Sequence, residues 1–378
     1  MDLPLLYMLN IFWVIIPLEL ADEAMAGSPL PTKVVSLSKL VQELAINGDE
    51  PPPRYFFKDG KDEPIKASPL LSSIPIIDLG LLSSSSSPST KEELEKLRSA
   101  LSTWGCFQAV GHGISSSFLD EVHEISKGFF KLPLEEKKKY STTVDELEGY
   151  GNDHVLTEEQ ILDWSDRLFL FIYPEDQRKL KIWPESPKGF REILHEYSPI
   201  IKSIAELLFK VMARSLNLEE NSFSSQLGER VLMLARFNYY PPCPRPDLVL
   251  GMKPHADSSV VTIILQDKEV EGLQLLIDDQ WVTVPTIPHA LFVNMGDQME
   301  IMSNGIFKSP VHRVVTNSER ERISLAVFHA PEPEKEIGPA DGLVGEERPR
   351  LFKKVKKYTD ITFEYFQRGM RAIESAKI

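Results

Sequence analysis

"KPHADSSVVTIILQ", residues 253–266, sets a histidine and an aspartate two positions apart, His255 and Asp257, at the entry to a β-branched run. Successive strand residues point to opposite faces, so positions i and i+2 share a face and these two side chains can converge on one point. An imidazole and a carboxylate aimed at one point suit a metal ion. The pair alone is weak, because a surface histidine beside a solvated aspartate satisfies the same spacing. The neighbouring stretches have to supply the support.

They are of one kind. "VLMLARFNYY", "SVVTIILQ", "LQLLIDDQWVTVP", "ALFVNMGD", "SPVHRVVT" and "RISLAVFHA" are short β-branched or alternating runs broken at near-regular intervals by Pro, Gly and Asp/Asn turns. Such a series predicts an antiparallel sandwich or jelly roll, with "IDDQW" as a hairpin turn inside it. On a later strand of the series lies His312, in "SPVHRVV". Two histidines and one carboxylate form the facial triad that leaves positions open for a chelating co-substrate and dioxygen, the set used by non-haem Fe(II) oxygenases. Ten residues further on, Arg322 and Ser324 share a strand face in "ERISLAVF". A guanidinium and a hydroxyl aimed into a barrel make a carboxylate receptor, since Arg grips carboxylates bidentately and is costly to bury unpaired. Upstream, "RFNYYPPCP" puts Asn238 and Tyr240 on one face of their strand.

Composition narrows the field. A chain of 378 residues can bury a sizeable core, and its 42% hydrophobic and 26% charged content is that of a globular protein. A net charge of -14 argues against nucleic acid or an anionic membrane as partner. Two distant cysteines, Cys106 and Cys243, imply neither a disulfide framework nor a Cys-rich metal site, and fit a reducing compartment. Residues 3–20, "LPLLYMLNIFWVIIPLEL", are apolar, but Pro4, Pro17, Asn10 and the lack of a preceding Lys or Arg make them a poor span or signal segment. They read as a loosely docked extension.

The first half is predicted to be mainly helical. Leu37, Leu40, Val41 and Leu44 keep helical spacing in 34–48, and "STKEELEKLRSALSTWG" carries a capping-box pattern, an apolar face at Leu94, Leu97 and Leu101, and Gly105 as its stop. "SSFLDEVHEISKGFF" and a long run beginning "GFREILHEYSPIIK", with Pro199 as a possible kink, follow. "IPIIDL" is a short buried strand, "SSSSSPST" a flexible loop, and "YTDITFEYFQRGMRAIESAKI" a closing helix with Phe363, Phe366 and Met370 on one face. His112, His123, His154, His195, His289 and His329 lack ligand partners at matching spacing and read as packing or surface residues, and Met295, Met299 and Met302 as core.

The motifs "FNYYPPCPRPDLVLGMKPHADSSVVTIILQ", "VNMGDQMEIMSNGIFKSPVHRVV" and "RISLAVF", together with "IPIIDL", "WGCFQAVGHGI" and "FFKLPLEEKKKY", resemble the plant 2-oxoglutarate- and Fe(II)-dependent dioxygenases from about Val34 almost to the end. The resemblance implies an α+β fold: a distorted double-stranded β-helix (jelly roll) over 226–335, a mainly helical N-terminal domain over 34–225, a helical segment over 336–378 and an extension over 1–33. It makes His255, Asp257 and His312 the iron ligands, gives Arg322 and Ser324 the distal carboxylate of 2-oxoglutarate, and places Tyr240 and Asn238 beside that co-substrate. Phe328, on the face of Arg322 and Ser324, is a substrate contact. Arg236, where flavonol synthase-like members carry Lys, points to the senescence-related and codeine O-demethylase-like group, and Tyr150, Phe169 and Phe171 are further pocket candidates.

The expected activity is hydroxylation or O-demethylation of a small specialised metabolite or hormone-related molecule, with release of succinate and CO2 and with ascorbate as reductant. A monomer in the cytoplasm, without stable membrane association, is the expected setting. A catalytically silent binding protein on the same scaffold would have no need of the triad and Arg-x-Ser together, and a zinc hydrolase leaves Arg322 and Ser324 unexplained.

Overall fold

The computed structural model describes residues 39–46, 48–57, 65, 74–83, 87–142, 146–153, 155, 160–367 and 370–378, apart from the side chains of 363–364 and 366–367. The segment 3–20, Leu37, His154, and the side chains of Phe363 and Phe366 lie outside the described residues.

Two sheets face each other. The larger contains β1 (Ile76–Asp78), β2 (Cys106–Val110), β3 (Gly149–Gly151), β4 (Asp166–Tyr173), β5 (Leu232–Tyr240), β7 (Val261–Leu265), β10 (Leu291–Met295) and β12 (Arg322–Ala330), in the order β1-β2-β10-β7-β12-β5-β4-β3. The smaller is β6 (Leu250–His255), β11 (His312–Val315), β8 (Leu273–Ile277) and β9 (Gln280–Thr283), in that order. From β5 onward the chain passes back and forth between the sheets, which winds it into a double-stranded β-helix with a hollow between them. Among the described strands of these sheets only β1 and β2 pair in parallel.

Both faces of the large sheet are covered. On β12, Ile323, Leu325 and Val327 point into the main hydrophobic core with Phe237 and Tyr239 of β5 and Ile263 and Leu265 of β7. Helices Ser116–Lys131 and Phe190–Ser215 supply the other side of that core through Val122, Phe129, Phe190, Ile201 and Leu208. Each such buried side chain contributes about 1.5–3 kcal/mol relative to exposure. The alternate residues line the hollow instead. Because both faces are buried, these strands read as apolar runs with polar residues only where the site needs them.

Local signals act as the residue types dictate. Asp278 and Asp279 take φ of 47° and 60°, the left-handed pair of a type I′ turn, and close the β8–β9 hairpin. Ser87 caps helix Pro88–Thr103 by accepting from the Thr90 N–H at 3.1 Å, so the end of "SSSSSPST" begins that helix instead of lying in a loop. Helix Phe190–Ser215 runs through Pro199 as one element.

Strand pairing joins the two halves of the chain, and the extent of the closing helix is corrected. The large sheet crosses residue 225: β2 pairs with β10, and β4 pairs with β5. β4 escapes a reading based on alternation because both its faces are buried. The closing helix spans Tyr358–Gln367, and Met370 follows it, its N–H bonded back to the Tyr365 carbonyl and its side chain 44% exposed.

Candidate active site

His255 ends β6 and His312 begins β11, and the antiparallel register sets the two directly opposite each other. Asp257 lies two residues past the end of β6, in the turn to β7. One ligand atom from each of the three falls within 4.8 Å of the others, a group able to hold a metal ion. The Asp257 Oδ1 is 3.5 Å from His255 Nε2 and 3.6 Å from His312 Nε2.

The backbone and two polar side chains orient these groups. His255 Nδ1 donates to the Lys253 carbonyl (2.9 Å) and His312 Nδ1 to the Pro310 carbonyl (3.1 Å), which leaves both Nε2 lone pairs turned inward. Asp257 Oδ2 accepts from Thr262 Oγ1 (2.6 Å) and Asn294 Nδ2 (2.9 Å), so Oδ1 stays available. Burial would raise the Asp257 pKa, yet the imidazoles of His312 and His255 and the Thr262 hydroxyl hold it well below the usual carboxylate range. Burial, then the neighbouring His255, pushes His312 down to about 4, so its ring is neutral at physiological pH. An anionic carboxylate and two imidazoles whose Nε2 atoms face it are the donor set a divalent iron ion requires.

Arg322, Ser324, Asn238 and Tyr240 lie on the same cavity wall, because β12 and β5 pair Arg322 with Tyr240 and Ser324 with Asn238. The Arg322 guanidinium is buried over the Tyr240 ring at 5.4 Å. Its Nη2 reaches Gln266 Oε1 at 3.3 Å, while Nε and Nη1 are buried without a hydrogen-bond partner. Space for both side chains comes from glycines: a Cβ on Gly272 would sit 2.9 Å from Arg322 Cδ, and one on Gly251 would sit 2.7 Å from the Tyr240 ring. A buried cation with two unanswered donors beside a hydroxyl fits a carboxylate ligand.

The cavity holding both groups has a volume of about 220 Å³. Its mouth is apolar, with Phe328, Phe169, Leu234 and Ala330, and the Phe169 and Phe328 rings are 6.4 Å apart. Thr359 and Thr362 of the closing helix cover one side. That helix is tied down by Tyr358, whose hydroxyl donates to Asp297 Oδ2 (2.8 Å), and by Arg371, whose Nη2 donates to Asp297 Oδ1 (3.3 Å). The Asp297 N–H in turn donates to the Asp257 carbonyl (2.8 Å), so the cover is anchored next to the triad.

Two of the expected pocket residues, Tyr150 and Phe171, do not line the cavity, and a third, Arg236, lines it with its donors already engaged. Tyr150 is buried outside the cavity: its hydroxyl donates to Gln42 Oε1 (3.0 Å) and its ring packs edge-on against Phe129, because β3 turns it toward the helical core. Phe171 packs beside the mouth without lining it. Arg236 lines the cavity but is already engaged, its Nη1 and Nη2 each 2.8 Å from a carboxylate oxygen of Asp153 and its Nε donating to Asn238 Oδ1 at 2.6 Å.

Asp153, Arg167, Thr262 and Asn294 carry no sequence motif that singles them out. An arginine inside the apolar run "DRLFLFIY" was the available signal for Arg167. Of the other histidines, His112 meets the His289 carbonyl, His195 meets Arg178 and His123 faces Asp267, and none of them lines the cavity. His329 is buried against the Val261 carbonyl, and Met295, Met299 and Met302 are core residues.

A double-stranded β-helix with a His-x-Asp/His triad and a buried arginine on one wall defines a non-haem iron oxygenase that uses an oxo-acid co-substrate. Comparisons with known proteins agree. The 2OG-Fe(II) oxygenase superfamily matches residues 232–331, and the N-terminal region of non-haem dioxygenases in morphine synthesis matches 74–186. Protein SRG1 of Arabidopsis thaliana is 41% identical over 91% of this chain and 96% of its own length. Codeine O-demethylase of Papaver somniferum is 43% identical over 79% and 82% of the two chains. The crystal structure of JOX2 in complex with 2OG, Fe and JA superposes with a TM-score of 0.80 at 34% identity, over 93% of this chain and all of that one. The chain belongs to the 2OG-Fe(II) oxygenase superfamily, and it is a 2-oxoglutarate- and Fe(II)-dependent dioxygenase.

Proposed function

We propose that this enzyme hydroxylates or O-demethylates a small, largely apolar specialised metabolite or hormone-type molecule, with iron on His255, Asp257 and His312 and 2-oxoglutarate on Arg322 and Ser324. The observation that carries this reading is the buried Arg322 guanidinium with Nε and Nη1 unpaired, on the same cavity as the triad. Relatives named codeine O-demethylase, thebaine 6-O-demethylase and flavonoid 7-O-demethylase support the reaction class.

Iron held by His255, Asp257 and His312 would supply the oxidising chemistry, coupling loss of CO2 from 2-oxoglutarate and transfer of one dioxygen oxygen to the resulting succinate with transfer of the other to the substrate C–H bond. The protein's part is binding and exclusion. Arg322 and Ser324 grip the distal carboxylate, and Tyr240 and Asn238 complete the polar wall around it. Thr262 and Asn294 hold Asp257 so that only Oδ1 faces the centre. Phe328 and Phe169 press the substrate toward the triad, while Thr359 and Thr362 keep water from that side. A methoxy carbon placed there would be hydroxylated and lost as formaldehyde.

The organisation that goes with this reading is an extension over 1–33, an N-terminal domain over 34–225, a catalytic unit over 226–335 and a closing segment over 336–378, working as a cytoplasmic monomer. No helix among the described residues is long and apolar enough to cross a membrane. A full-length fluorescent fusion retained on endomembranes would overturn that setting. The activity is tested by comparing extracted metabolites before and after incubation with enzyme, Fe(II), ascorbate and 2-oxoglutarate. One metabolite should shift by one oxygen atom or lose one methylene while succinate accumulates; no substrate-dependent succinate from any extract would count against the reading.

A further inference from the structure

The polar end of the substrate cavity carries two arginines and one aspartate. Asp153, brought in by the loop after β3, receives both Nη1 and Nη2 of Arg236 at 2.8 Å and Nε of Arg167 at 2.8 Å. Arg167 and Arg236 stand on the neighbouring strands β4 and β5, and all three side chains line the cavity. Arg167 spends its Nη1 on the carbonyls of Leu147 and Gly149, and its side chain is 1% exposed. Two guanidiniums converging on one point are a carboxylate receptor by geometry. Here the receptor is filled from within the chain.

We infer that Asp153 is a specificity-determining residue: it occupies the Arg167–Arg236 fork in place of a substrate carboxylate, so the cavity takes a neutral oxygenated molecule and turns away organic acids. An entering carboxylate would find the Arg236 Nη1 and Nη2 and the Arg167 Nε donors already taken by Asp153, an exclusion by occupancy of the kind that creates selectivity. A cationic substrate is no better served, because the cluster holds two positive charges against one negative. What remains is a neutral acceptor, such as a carbonyl, ester, ether or hydroxyl oxygen, able to use the N–H groups Asp153 leaves. Phe169, Phe328, Leu234 and Ala330 meet the rest of such a molecule with apolar surface.

This rests on the proposed function for the cavity's role but is separable from it, because benzoate reads the Asp153 cluster while the chelation band reads the Arg322 end, to which the cluster is linked through the Arg236–Asn238 hydrogen bond. The test uses full-length protein loaded anaerobically with Fe(II) and saturating 2-oxoglutarate, so that Arg322 is occupied, and measures benzoate and benzamide binding by calorimetry. Wild type should bind benzoate at least about tenfold more weakly than Asp153→Ala does, whereas benzamide should change less than about twofold. Adding Arg236→Met to Asp153→Ala should abolish the gain. Wild type binding benzoate as well as the variant overturns the inference, and so does a variant that binds none. If Asp153→Ala fails to fold, as judged by circular dichroism, Asp153→Asn removes the charge at constant shape and is read by the same criteria. The visible chelation band of 2-oxoglutarate on iron, recorded for each protein, reports independently on the Arg322 end: its loss in wild type sinks the functional reading, and its presence with no benzoate gain sinks only the role of Asp153.

Discussion

The inner end of the cavity and its mouth obtain their side chains in different ways. At the inner end, His255, His312, Arg322, Ser324, Asn238 and Tyr240 all come from paired strands, and ladder register sets three cross-strand couples: His255 with His312, Arg322 with Tyr240, Ser324 with Asn238. At the mouth and the neighbouring Asp153 cluster, Asp153 and Leu147 come from loops and Thr359 and Thr362 from the closing helix, alongside strand residues such as Phe328 and Phe169. A ladder fixes a side chain through backbone hydrogen bonds that tolerate sequence change around it, which suits chemistry that stays constant. Loops and a strap held by a few side-chain bonds can vary without disturbing the ladder, which suits a changing substrate.

This contrast can be broken from either end. The largest effect is expected at the triad: His312→Ala should abolish substrate-dependent succinate formation, a loss beyond the 10–100-fold typical of outer partners. Retained turnover with normal iron content would dissolve the distinction between the two ends. Next comes the co-substrate wall. Arg322→Ala removes a buried charged partner, a change of about 2–5 kcal/mol, and should raise half-saturating 2-oxoglutarate by roughly thirtyfold or more. Anaerobic titration of the chelation band measures this, with iron binding preserved; equal half-saturation in both proteins would free Arg322 from its role.

A smaller effect separates orientation from ligation. Thr262→Val deletes the 2.6 Å hydrogen bond to Asp257 Oδ2 but leaves Asn294 in place. Iron affinity, measured by chelator competition, should fall about tenfold, the lower edge of what such partners contribute. An unchanged affinity would mean that Asn294 alone suffices to hold the carboxylate. The smallest effect is expected outside the cavity. Tyr150→Phe loses the hydrogen bond to Gln42, worth about 1 kcal/mol of stability in denaturant unfolding, and should leave kcat and KM for the substrate unchanged. A changed KM would return Tyr150 to the pocket wall and blur the boundary drawn here.

The sequence by itself determined the inner end. Strand periodicity puts Arg322 with Ser324 and Asn238 with Tyr240 on shared faces, and the order of these pairs with His255, Asp257 and His312 along a β-rich half is enough to name the chemistry, although Asp257 itself is delivered by the turn after β6 and not by strand alternation. Short runs broken by turns also gave the jelly-roll class. Tertiary structure alone decided the rest. Asp153 meets Arg236 across 83 positions and Arg167 across 14, a junction no local period encodes. Alternation of β3 sends Tyr150 into the helical core because the large sheet is buried on both faces, so hydrophobicity cannot tell one face from the other. Asp297 ties the closing helix to the metal end through Tyr358 and Arg371, contacts made only once the strap has packed. Periodicity is a property of the backbone and can be read along the chain, whereas convergence of loops depends on which packed surfaces meet, and that is settled by the folded whole.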